Sequence, residues 1–592
     1  MKLKTQLYTI CILLTSMTLQ SCLNILDSTS RNDLTDPTVW GNKEAIEAYL
    51  GDIYNQMETE SFGYMVLDKA GYPSQLTDEA VRAYTSGTIN NTIISESAFA
   101  WWKYDVVRES NLFIEKIQES SLKPEEIVLY SAQARFIRAF HYFALVKRYG
   151  GVPIITVPQS ITNPTNHKTP RSKEEEVYEF IKTEIDDIVK DLPATWNHSV
   201  RFKATKYAAY ALKSRAMLYA GSIATYGTVQ KDGLVGIPMQ RRAYFFNESL
   251  KASEEIINSG KFKLYDQKLD KSLNYQELFL DKTMHDELIF SIAYSSPDKG
   301  HSWDYYNAPY SFKVNYGSVT NPTLQFVDEY ENVDGSDGRL VFEDETGQPI
   351  LYNTPYEAFK DKDPRLSATV LLPFAPWQNN KIEIRNGIID GDLTITAPNT
   401  TDTYGTGEAQ ITIIGKDGMS GSNDFTKTGF YIKKFMNPTD RVDSGRSEVN
   451  WMVFRYAEIL LNYAEASAEL DINKENSILY INMIRSRAGI KHHMSLDLEK
   501  IRKERKIELA FENHRWWDMK RWRISTEVLN NYAADAISIY LIWEDGKLPS
   551  EMKYIIKKTK ANKPTKTFLP KLYYVKIPTG LTSSHLEQNP GY

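Results

Sequence analysis

The stretch from residue 450 to residue 523 constrains the fold most, because its apolar residues recur at helical spacing. Four of them fall at i, i+4, i+7 and i+11 and therefore share one helix face: Ala457, Leu461, Ala464 and Ala468. Further helices are expected from about Lys474 to Arg487, where Gly489 is a natural stop, and from about Asp497 to Glu512. Three helices joined by short turns predict an antiparallel helical array.

Composition excludes several classes of protein. A chain of 592 residues is too long for one compact core and favours about three to four domain-sized units. A net charge of −6 without a basic tail argues against a nucleic-acid partner. Both cysteines, Cys11 and Cys22, lie in the first 22 residues, so the body of the chain can hold neither a disulfide nor a thiolate metal site.

The N-terminus has the pattern of a bacterial secretion signal. Lys2 and Lys4 precede an apolar run over residues 7–19 that is too short to span a bilayer. The sequence of residues 19–22, Leu-Gln-Ser-Cys, resembles a lipobox and predicts Cys22 as the acylated (palmitate-bearing) first residue of the mature chain. Several acyl chains would anchor the protein stably to a membrane. An ordinary cleaved signal with a chance cysteine is the alternative.

Helical periodicity continues through the N-terminal half. Helices are expected over residues 42–58, 101–119, 174–192, 204–220 and 242–258, and from Pro124, which suits a first helical turn, to Tyr149 before Gly150. These helix pairs have about the tetratricopeptide length but lack its consensus. The predicted fold is therefore mainly α, a divergent tetratricopeptide-like helix-pair scaffold (an α-α superhelix) that carries a loop-rich insert with short strands.

Composition and periodicity divide the chain into five segments. Residues 1–21 form the signal, 22–40 a lipidated tether, 41–264 an N-terminal helical region, 265–445 the loop-rich insert, and 446–592 a C-terminal helical region whose tail docks on the body. The insert is rich in Asn, Asp, Gly, Pro and Thr and is the expected ligand-binding region.

Four ordered C-terminal motifs resemble the SusD/RagB family. The motif residues are Arg455-Tyr456-Ala457-Glu458 with Leu461-Asn462-Tyr463-Ala464-Glu465-Ala466; Asn482, Arg485 and Arg487-Ala488-Gly489; Glu504 to Glu512 with Arg515, Asp518 and Arg521-Trp522; and Gln588-Asn589-Pro590-Gly591-Tyr592. The resemblance implies a lipid-anchored protein on the extracellular face of the outer membrane. It also implies that the protein binds a glycan and passes it to a SusC-like TonB-dependent transporter, with the helix pairs on the transporter side.

Aromatic side chains in polar loops are the candidate ligand contacts, because flat rings stack on the apolar face of a sugar. Trp303, Tyr305, Tyr306 and Tyr310 are the ring candidates in residues 297–312, and Asp304 and Asn307 are candidates for binding sugar hydroxyls. Three further candidates lie elsewhere: Tyr84, Trp101 and Trp377. Replacement of Trp303 and Tyr306 by Ala is expected to abolish sugar retention without unfolding the protein. The alternative is that these rings only pin a loop.

Enzymatic and metal sites have weaker support. No segment matches a phosphate-binding loop, a nucleophile elbow or a zinc-protease helix. Glu504, Glu508 and Glu512 are better explained by ion pairs with basic residues of their own helix. His492-His493 favours a solvated pair over a metal site, and Asp390-Gly391-Asp392 favours a turn over a calcium loop. No cofactor, metal or catalytic residue is expected.

Three functions remain open at this stage. The first is surface capture of a glycan for a transporter, the second is the same role with a peptide cargo, and the third is a secreted polysaccharide hydrolase. Incubation with a glycan panel separates them, because the first retains intact sugar, the second retains only peptide and the third shortens the chains.

Overall fold

The structure is a computed structural model that describes residues 37–67, 71–159, 168–196, 202–419 and 423–592. The predicted signal, the acylated Cys22 and most of the predicted tether lie outside the described residues. In the described ranges, no helix has the length and apolar content needed to cross a membrane.

Seventeen α-helices are described within these ranges, and the longer ones form the scaffold. Their bounds are α1 Pro37–Trp40, α2 Lys43–Asn55, α3 Asp105–Lys116, α4 Pro124–Tyr149, α5 Glu174–Ile188, α6 Lys206–Tyr226, α7 Arg242–Ile257, α8 Lys271–Leu280, α9 Trp303–Asn307, α10 Leu324–Val327, α11 Pro364–Thr369, α12 Tyr456–Leu470, α13 Lys474–Ala488, α14 Leu498–Glu508, α15 Arg515–Arg521, α16 Ser525–Val528 and α17 Thr579–Thr582.

Consecutive helices of the scaffold pack against each other as pairs. α3 packs on α4, α4 on α5, α5 on α6, and α6 on α7, and α12 from the C-terminal region then packs on α7 and α13. Helix α6 is alanine-rich and buried on nearly every side, which lets α7 approach closely. At Gly221 of α6 an added methyl group would lie 2.6 Å from the ring of Phe246, so this crossing requires glycine. The mainly α, helix-pair fold predicted from the sequence is confirmed.

The strands are short and lie mostly in the insert and the C-terminal region. Their bounds are β1 Ala80–Arg82, β2 Leu288–Ile292, β3 Thr320–Pro322, β4 Val370–Leu371, β5 Pro376–Trp377, β6 Asn380–Lys381, β7 Gly387–Asp390, β8 Leu393–Ile395, β9 Thr403–Tyr404, β10 Ile411–Thr412, β11 Tyr431–Ile432, β12 Trp451–Arg455, β13 Asp535–Ile542 and β14 Tyr554–Lys560. The largest described sheet has the strand order β14-β13-β7-β8, in which only the β13–β7 pair is parallel.

Two segments differ from the sequence prediction. Residues 451–455 were expected to begin a helix but form β12, which pairs antiparallel with β2. Residues 535–560 carry the two longest described strands, although no strand was predicted there. β12 pairs with β2 and β13 with β7, both far away in the sequence, and a local periodicity does not contain that information, whereas β14 pairs with its neighbour β13.

The chain segments interleave around one main hydrophobic core. That core contains Phe136 of α4, Phe326 of α10 and Trp516 of α15, so the N-terminal, insert and C-terminal segments all contribute to it. β1 pairs with β3 across the first boundary, and β13 pairs with β7 across the second. The N-terminal, insert and C-terminal segments therefore share this main core.

Buried ion pairs hold the C-terminal motifs in place. Arg455 donates to Glu508 (Nη1–Oε1, 2.7 Å) and to Glu512 (Nε–Oε2, 2.7 Å), and Arg365 Nη1 donates to Oε1 of Glu504 at 2.6 Å. The three glutamates are ion-paired as predicted, but these partners come from other elements rather than from their own helix. Each carboxylate therefore links α14, or the turn after it, to a distant part of the chain.

The C-terminal tail lies against the exit of α4. Arg171 donates to the backbone oxygen of Glu587 at 2.8 Å and to Oδ1 of Asn589 at 2.8 Å. Asn589 in turn donates to the backbone oxygens of Tyr149 (3.1 Å) and Val575 (2.7 Å). The side chain of Asn589 thus satisfies one carbonyl group at the end of α4 and one in the segment just before the tail.

Candidate functional site

The pairing of β1 with β3 brings two distant groups of tyrosines together. Arg82 pairs with Thr320, and the amide of Ala83 donates to the carbonyl of Val319 at 3.1 Å. Tyr84 therefore lies beside the segment that precedes β3, and its ring centroid is 6.3 Å from that of Tyr316. Tyr84 and the aromatic residues of the loop 297–312 are more than 200 residues apart in sequence, but they contribute to one surface.

Tyr316 is the centre of this surface. Its ring lies 5.7 Å from that of Tyr305 and 6.3 Å from that of Tyr306, which both project from α9. Tyr316 is 49% exposed, whereas Tyr305 and Tyr306 keep only 8% and 9% of their surface in contact with solvent. We call Tyr84, Tyr305, Tyr306 and Tyr316 the tyrosine cluster. Tyr316 presents its ring to solvent, and the other three support it.

The loop that carries Tyr316 is closed by backbone hydrogen bonds. Ser318 donates to the carbonyl of Ala308 at 2.9 Å, and Val319 donates to that of Tyr306 at 2.9 Å. A methyl group added at Gly317 would meet the oxygen of Ala308 at 2.4 Å, so the closure requires glycine there. This closure turns Tyr316 back onto α9.

Polar groups surround the cluster. The hydroxyl of Tyr84 and the ammonium of Lys313 both donate to the carboxylate of Asp424. The amide of Thr85 donates to Oδ1 of Asn423 at 3.2 Å. Burial and the hydrogen bond to Asp424 hold the pKa of Tyr84 above its usual value, so this hydroxyl remains a donor. Charged and amide groups beside an exposed ring can bind sugar hydroxyls while the ring stacks on the sugar face.

Tyr310 lies at the edge of this surface. Its ring stacks on Phe425 with centroids 3.8 Å apart, and the Lys313 ammonium lies 4.9 Å from its centroid. Ser311 next to it donates from its amide and its hydroxyl to Oδ1 of Asp417, at 2.9 and 2.7 Å. One face of Tyr310 is thus covered, and its half-buried ring borders the polar groups around the cluster.

Trp303, Asp304 and Asn307 have partners inside the protein instead of a place on the surface. Trp303 is 4% exposed, and its Nε1 donates to the carbonyl of Lys434 at 3.0 Å. Asp304 Oδ1 accepts from the amide of Asn437 at 2.5 Å. Asn307 Oδ1 accepts from the amide of Thr320 at 3.0 Å, which fixes α9 against β3. In this structure these three candidates position the tyrosine-bearing helix and offer no open face to a sugar.

Trp101 and Trp377 are not among the contacts of the tyrosine cluster. The ring of Trp101 lies 4.6 Å from that of His141 at a tilt of 56°, and with Trp102 it lines a separate cleft of about 690 Å³. Trp377 is 4% exposed in the β5–β6 hairpin, which Gln378 ties to the carbonyls of Asn437 and Asp440 at 3.0 and 2.7 Å. Trp101 retains an accessible edge, whereas Trp377 is a core residue of its hairpin.

The candidate metal positions form no multidentate group. No set of three or more His, Cys, Asp or Glu residues suited to an ion occurs in the described ranges. His492 bonds Ser486 (Nε2–Oγ, 2.6 Å), and Asp390 accepts from the Tyr404 hydroxyl at 2.6 Å. Asp390-Gly391-Asp392 forms the turn between β7 and β8, with a positive φ of 56° at Gly391.

Several residues of the site were missed in the sequence analysis, among them Tyr316, Lys313 and Asp424. Tyr316 lies only four residues beyond the aromatic loop singled out there, in the continuation Ser311-Phe312-Lys313-Val314-Asn315-Tyr316, so the same polar and aromatic pattern could have included it. Asp424 carries no local signal, because its contacts with Tyr84 and Lys313 arise from tertiary structure.

Comparison with known proteins identifies the family. The family model described as SusD family matches residues 286–592, over half of the chain. The chain belongs to the SusD family. A second model, described as starch-binding and associating with outer membrane, matches residues 25–218. The family resemblance inferred from the C-terminal motifs is therefore confirmed.

Individual relatives of the SusD family cover nearly the whole chain. SusD-like protein P38 of Formosa agariphila is 23% identical over 580 residues, which is 92% of this chain and 96% of the relative. A SusD-like protein of Bacteroides fragilis has a solved structure with a TM-score of 0.69 and 24% identity, covering 94% of this chain and 98% of that one. A laminarin-binding SusD-like protein has a TM-score of 0.59 and 18% identity, covering 93% of this chain and all (100%) of that one. These structures share the fold with this chain.

Proposed function

We propose that this protein is a cell-surface glycan-binding lipoprotein of the outer membrane that captures an oligosaccharide or polysaccharide and delivers it to a partner TonB-dependent transporter. The observation that carries the proposal is the exposed ring of Tyr316, supported by Tyr84, Tyr305 and Tyr306 and bordered by Lys313 and Asp424. An exposed aromatic face next to polar groups suits a sugar ring, which has an apolar face and a hydroxyl edge.

Two comparisons support a glycan as the cargo. One structural relative is described as laminarin-binding, and one matching family model is described as starch-binding and associating with outer membrane. The proposal also uses Cys22, whose surrounding residues resemble a lipobox, as the site of the membrane anchor. Non-covalent capture is sufficient for delivery, because a modest affinity allows release into the channel.

A glycan panel tests the proposal. The purified protein is incubated with neutral and acidic polysaccharides and with peptides, and retention and chain length are measured. The proposal predicts retention of at least one polysaccharide at unchanged chain length. Retention of peptide alone supports a peptide carrier instead, and shortened polysaccharide supports a hydrolase.

A matched pair of variants connects retention to the tyrosine cluster. Tyr316→Ala is expected to weaken glycan binding at least about tenfold, equivalent to about 1.4 kcal/mol. Tyr210→Ala, which removes a partly buried tyrosine of α6 that packs against the main core, is the control and is expected to leave binding unchanged. Equal binding by Tyr316→Ala and the unmodified protein would remove the cluster from the site.

The membrane and transporter parts of the proposal need separate tests. Cys22→Ser is expected to release the chain from the membrane fraction, because serine lacks the thiol that carries the lipid. Cross-linking in intact cells is expected to join the unmodified protein to an outer-membrane transporter. A chain that remains membrane-bound as Cys22→Ser, or that cross-links to no transporter, contradicts the corresponding part.

A further inference from the structure

Four cationic side chains lie together beside the tyrosine cluster: Arg82, Lys427, Lys563 and Lys566. The Lys563 ammonium donates to the carbonyl of Tyr84 at 2.7 Å, so it contacts the backbone of the cluster itself. The Arg82 guanidinium lies 5.8 Å from the centroid of the Tyr84 ring. The amide of Lys427 donates to Oδ1 of Asn321 in β3 at 2.9 Å, which places its segment next to the same pair of strands. We call these four residues the cationic cluster.

Two members of the cationic cluster have no acidic partner within the described residues. Lys563 donates to the carbonyls of Tyr84 and Ala83, and Lys566 donates to the carbonyl of Gln75. Carbonyl oxygens satisfy the N–H donors of an ammonium but do not neutralise its charge. Lys566 is 7% exposed, so solvent screens its charge poorly.

Burial and neighbouring positive charge both lower the pKa values of Lys563 and Lys566. Burial, and then repulsion from Lys427 and Arg82, lowers the pKa of Lys563 to about 8. Burial and repulsion from Lys563 lower the pKa of Lys566 to about 7. Asp424 is the acid that faces Lys427, and its carboxylate also binds Lys313 and Tyr84. A nearby anion would relieve this repulsion.

We infer that the glycan bound at the tyrosine cluster is acidic, with a sulfate ester or a carboxylate that lies against the half-buried Lys563. This inference rests on the proposed function and names the class of its cargo. A sugar that stacks on Tyr316 can direct an anionic substituent toward Tyr84, whose carbonyl and ring are bordered by Lys563 and Arg82. Positive potential around a concentrated set of cations also speeds the encounter with a polyanion.

Matched polysaccharide pairs test the inference. One pair is polygalacturonate and its fully methyl-esterified form, and the other is a sulfated galactan and the same galactan after desulfation. At low salt, the affinity for the charged member of at least one pair is expected to be at least about tenfold higher than the affinity for its uncharged counterpart. That advantage is expected to shrink as sodium chloride rises from about 0.05 M to about 0.3 M, because salt screens the interaction. The two pairs distinguish a carboxylate from a sulfate.

A charge-removing variant locates the effect. Lys563→Gln keeps a polar N–H side chain, one atom shorter, but loses the charge, so the ratio of its affinities for the charged and the uncharged member is expected to fall to about one. Lys563→Arg is expected to keep the preference. Lys360→Gln changes net charge equally at an exposed residue and is the control.

The outcomes separate this inference from the proposed function. Equal binding of charged and uncharged members, with both lost in Tyr316→Ala, overturns the acidic cargo and leaves glycan capture intact. An unchanged preference in Lys563→Gln also overturns it. Binding of polyglutamate with no polysaccharide retained overturns the proposed function and the inference together.

Discussion

The hydroxyl of Tyr84 donates a hydrogen bond to Oδ1 of Asp424, a residue 340 positions later in the chain. The same carboxylate accepts from Lys313. Three chain segments therefore meet at the carboxylate of Asp424: its own segment, the segment with Tyr84, and the segment with Lys313 directly after the aromatic loop. The contact explains how a binding surface made of loops keeps a defined geometry, since each loop is held by a charge-assisted hydrogen bond.

The ring and the hydroxyl of Tyr84 have separable roles. Tyr84→Phe removes the hydrogen bond to Asp424 but keeps the ring against Tyr316, so glycan affinity is expected to stay within about threefold while stability falls by about 1 kcal/mol. Tyr84→Ala removes the ring and is expected to weaken binding about tenfold. Isothermal titration with the retained glycan and urea unfolding measure the two effects. Equal binding losses in both variants would show that the hydroxyl, rather than the ring, is what the site needs.

Trp303→Ala is expected to destabilise the protein, which corrects the expectation that it would act on binding alone. The ring packs 4.7 Å from that of Tyr72 and 5.5 Å from that of Phe62, and its Nε1 bonds the carbonyl of Lys434. Loss of a buried tryptophan costs about 3–5 kcal/mol. Tyr316→Ala, at an exposed ring, is expected to change the free energy of unfolding by no more than about 0.5 kcal/mol. Similar unfolding midpoints for the two variants would contradict these assignments.

Gly317→Ala is expected to weaken glycan binding by moving the loop that carries Tyr316. The new methyl group would meet the oxygen of Ala308 at 2.4 Å, so the hydrogen bond between Ser318 and Ala308 has to open. Gly63→Ala is the control, because an added methyl group there meets nothing within 4 Å. Near-identical affinities for Gly317→Ala and Gly63→Ala would mean that loop closure does not position the site.

The buried pair of Glu465 and Arg521 predicts a loss of stability in acid. Burial opposes ionisation of Glu465, but the charge and hydrogen bonds of Arg521 outweigh burial and lower its pKa to about 2. An unfolded glutamate has a pKa of about 4.3, so the unfolded state binds more protons between those values, and stability falls as pH drops from about 4 to about 2. Over its whole titration this group contributes about 3 kcal/mol, of which about 2 kcal/mol is lost between about pH 4 and about pH 2.

Unfolding experiments across pH isolate this contribution. Glu465→Gln is expected to be less stable at pH 7, because Arg521 loses a buried partner, but to lose less stability than the unmodified protein between about pH 4 and about pH 2. Glu475→Gln, at an exposed position of α13, is expected to leave the acid profile unchanged. Parallel acid profiles for Glu465→Gln and the unmodified protein would refute the role of this pair.

Local signals predicted the helices well. Helix α4 begins at Pro124 and ends at Tyr149 as expected, because a proline in the first turn and a glycine after the last turn act within one segment. Gly489 likewise ends α13 with a positive φ of 76°. Strand β12 was missed because its partner, β2, lies about 160 residues earlier, and the helical period of the following residues extended over it.

The candidate site was predicted in part. The aromatic loop and Tyr84 were recognised as separate candidates, and their contact through Tyr316 follows from the register of β1 with β3. Trp303, Asp304 and Asn307 were grouped with their neighbours because all five residues of α9 are adjacent in sequence. Each residue of a helix turns about 100° from the last, so neighbours in sequence face different surroundings.

The sequence by itself determined the helical scaffold and the family, because helical period, helix ends and ordered motifs are properties of contiguous residues. Only the tertiary structure decided that Tyr316 faces solvent while Trp303 lies in the core, and that Asp424 and Lys563 border Tyr84. These relationships join residues hundreds of positions apart through strand register and side-chain hydrogen bonds. Which side of a ring remains exposed depends on everything packed against it, and that is a property of the folded molecule.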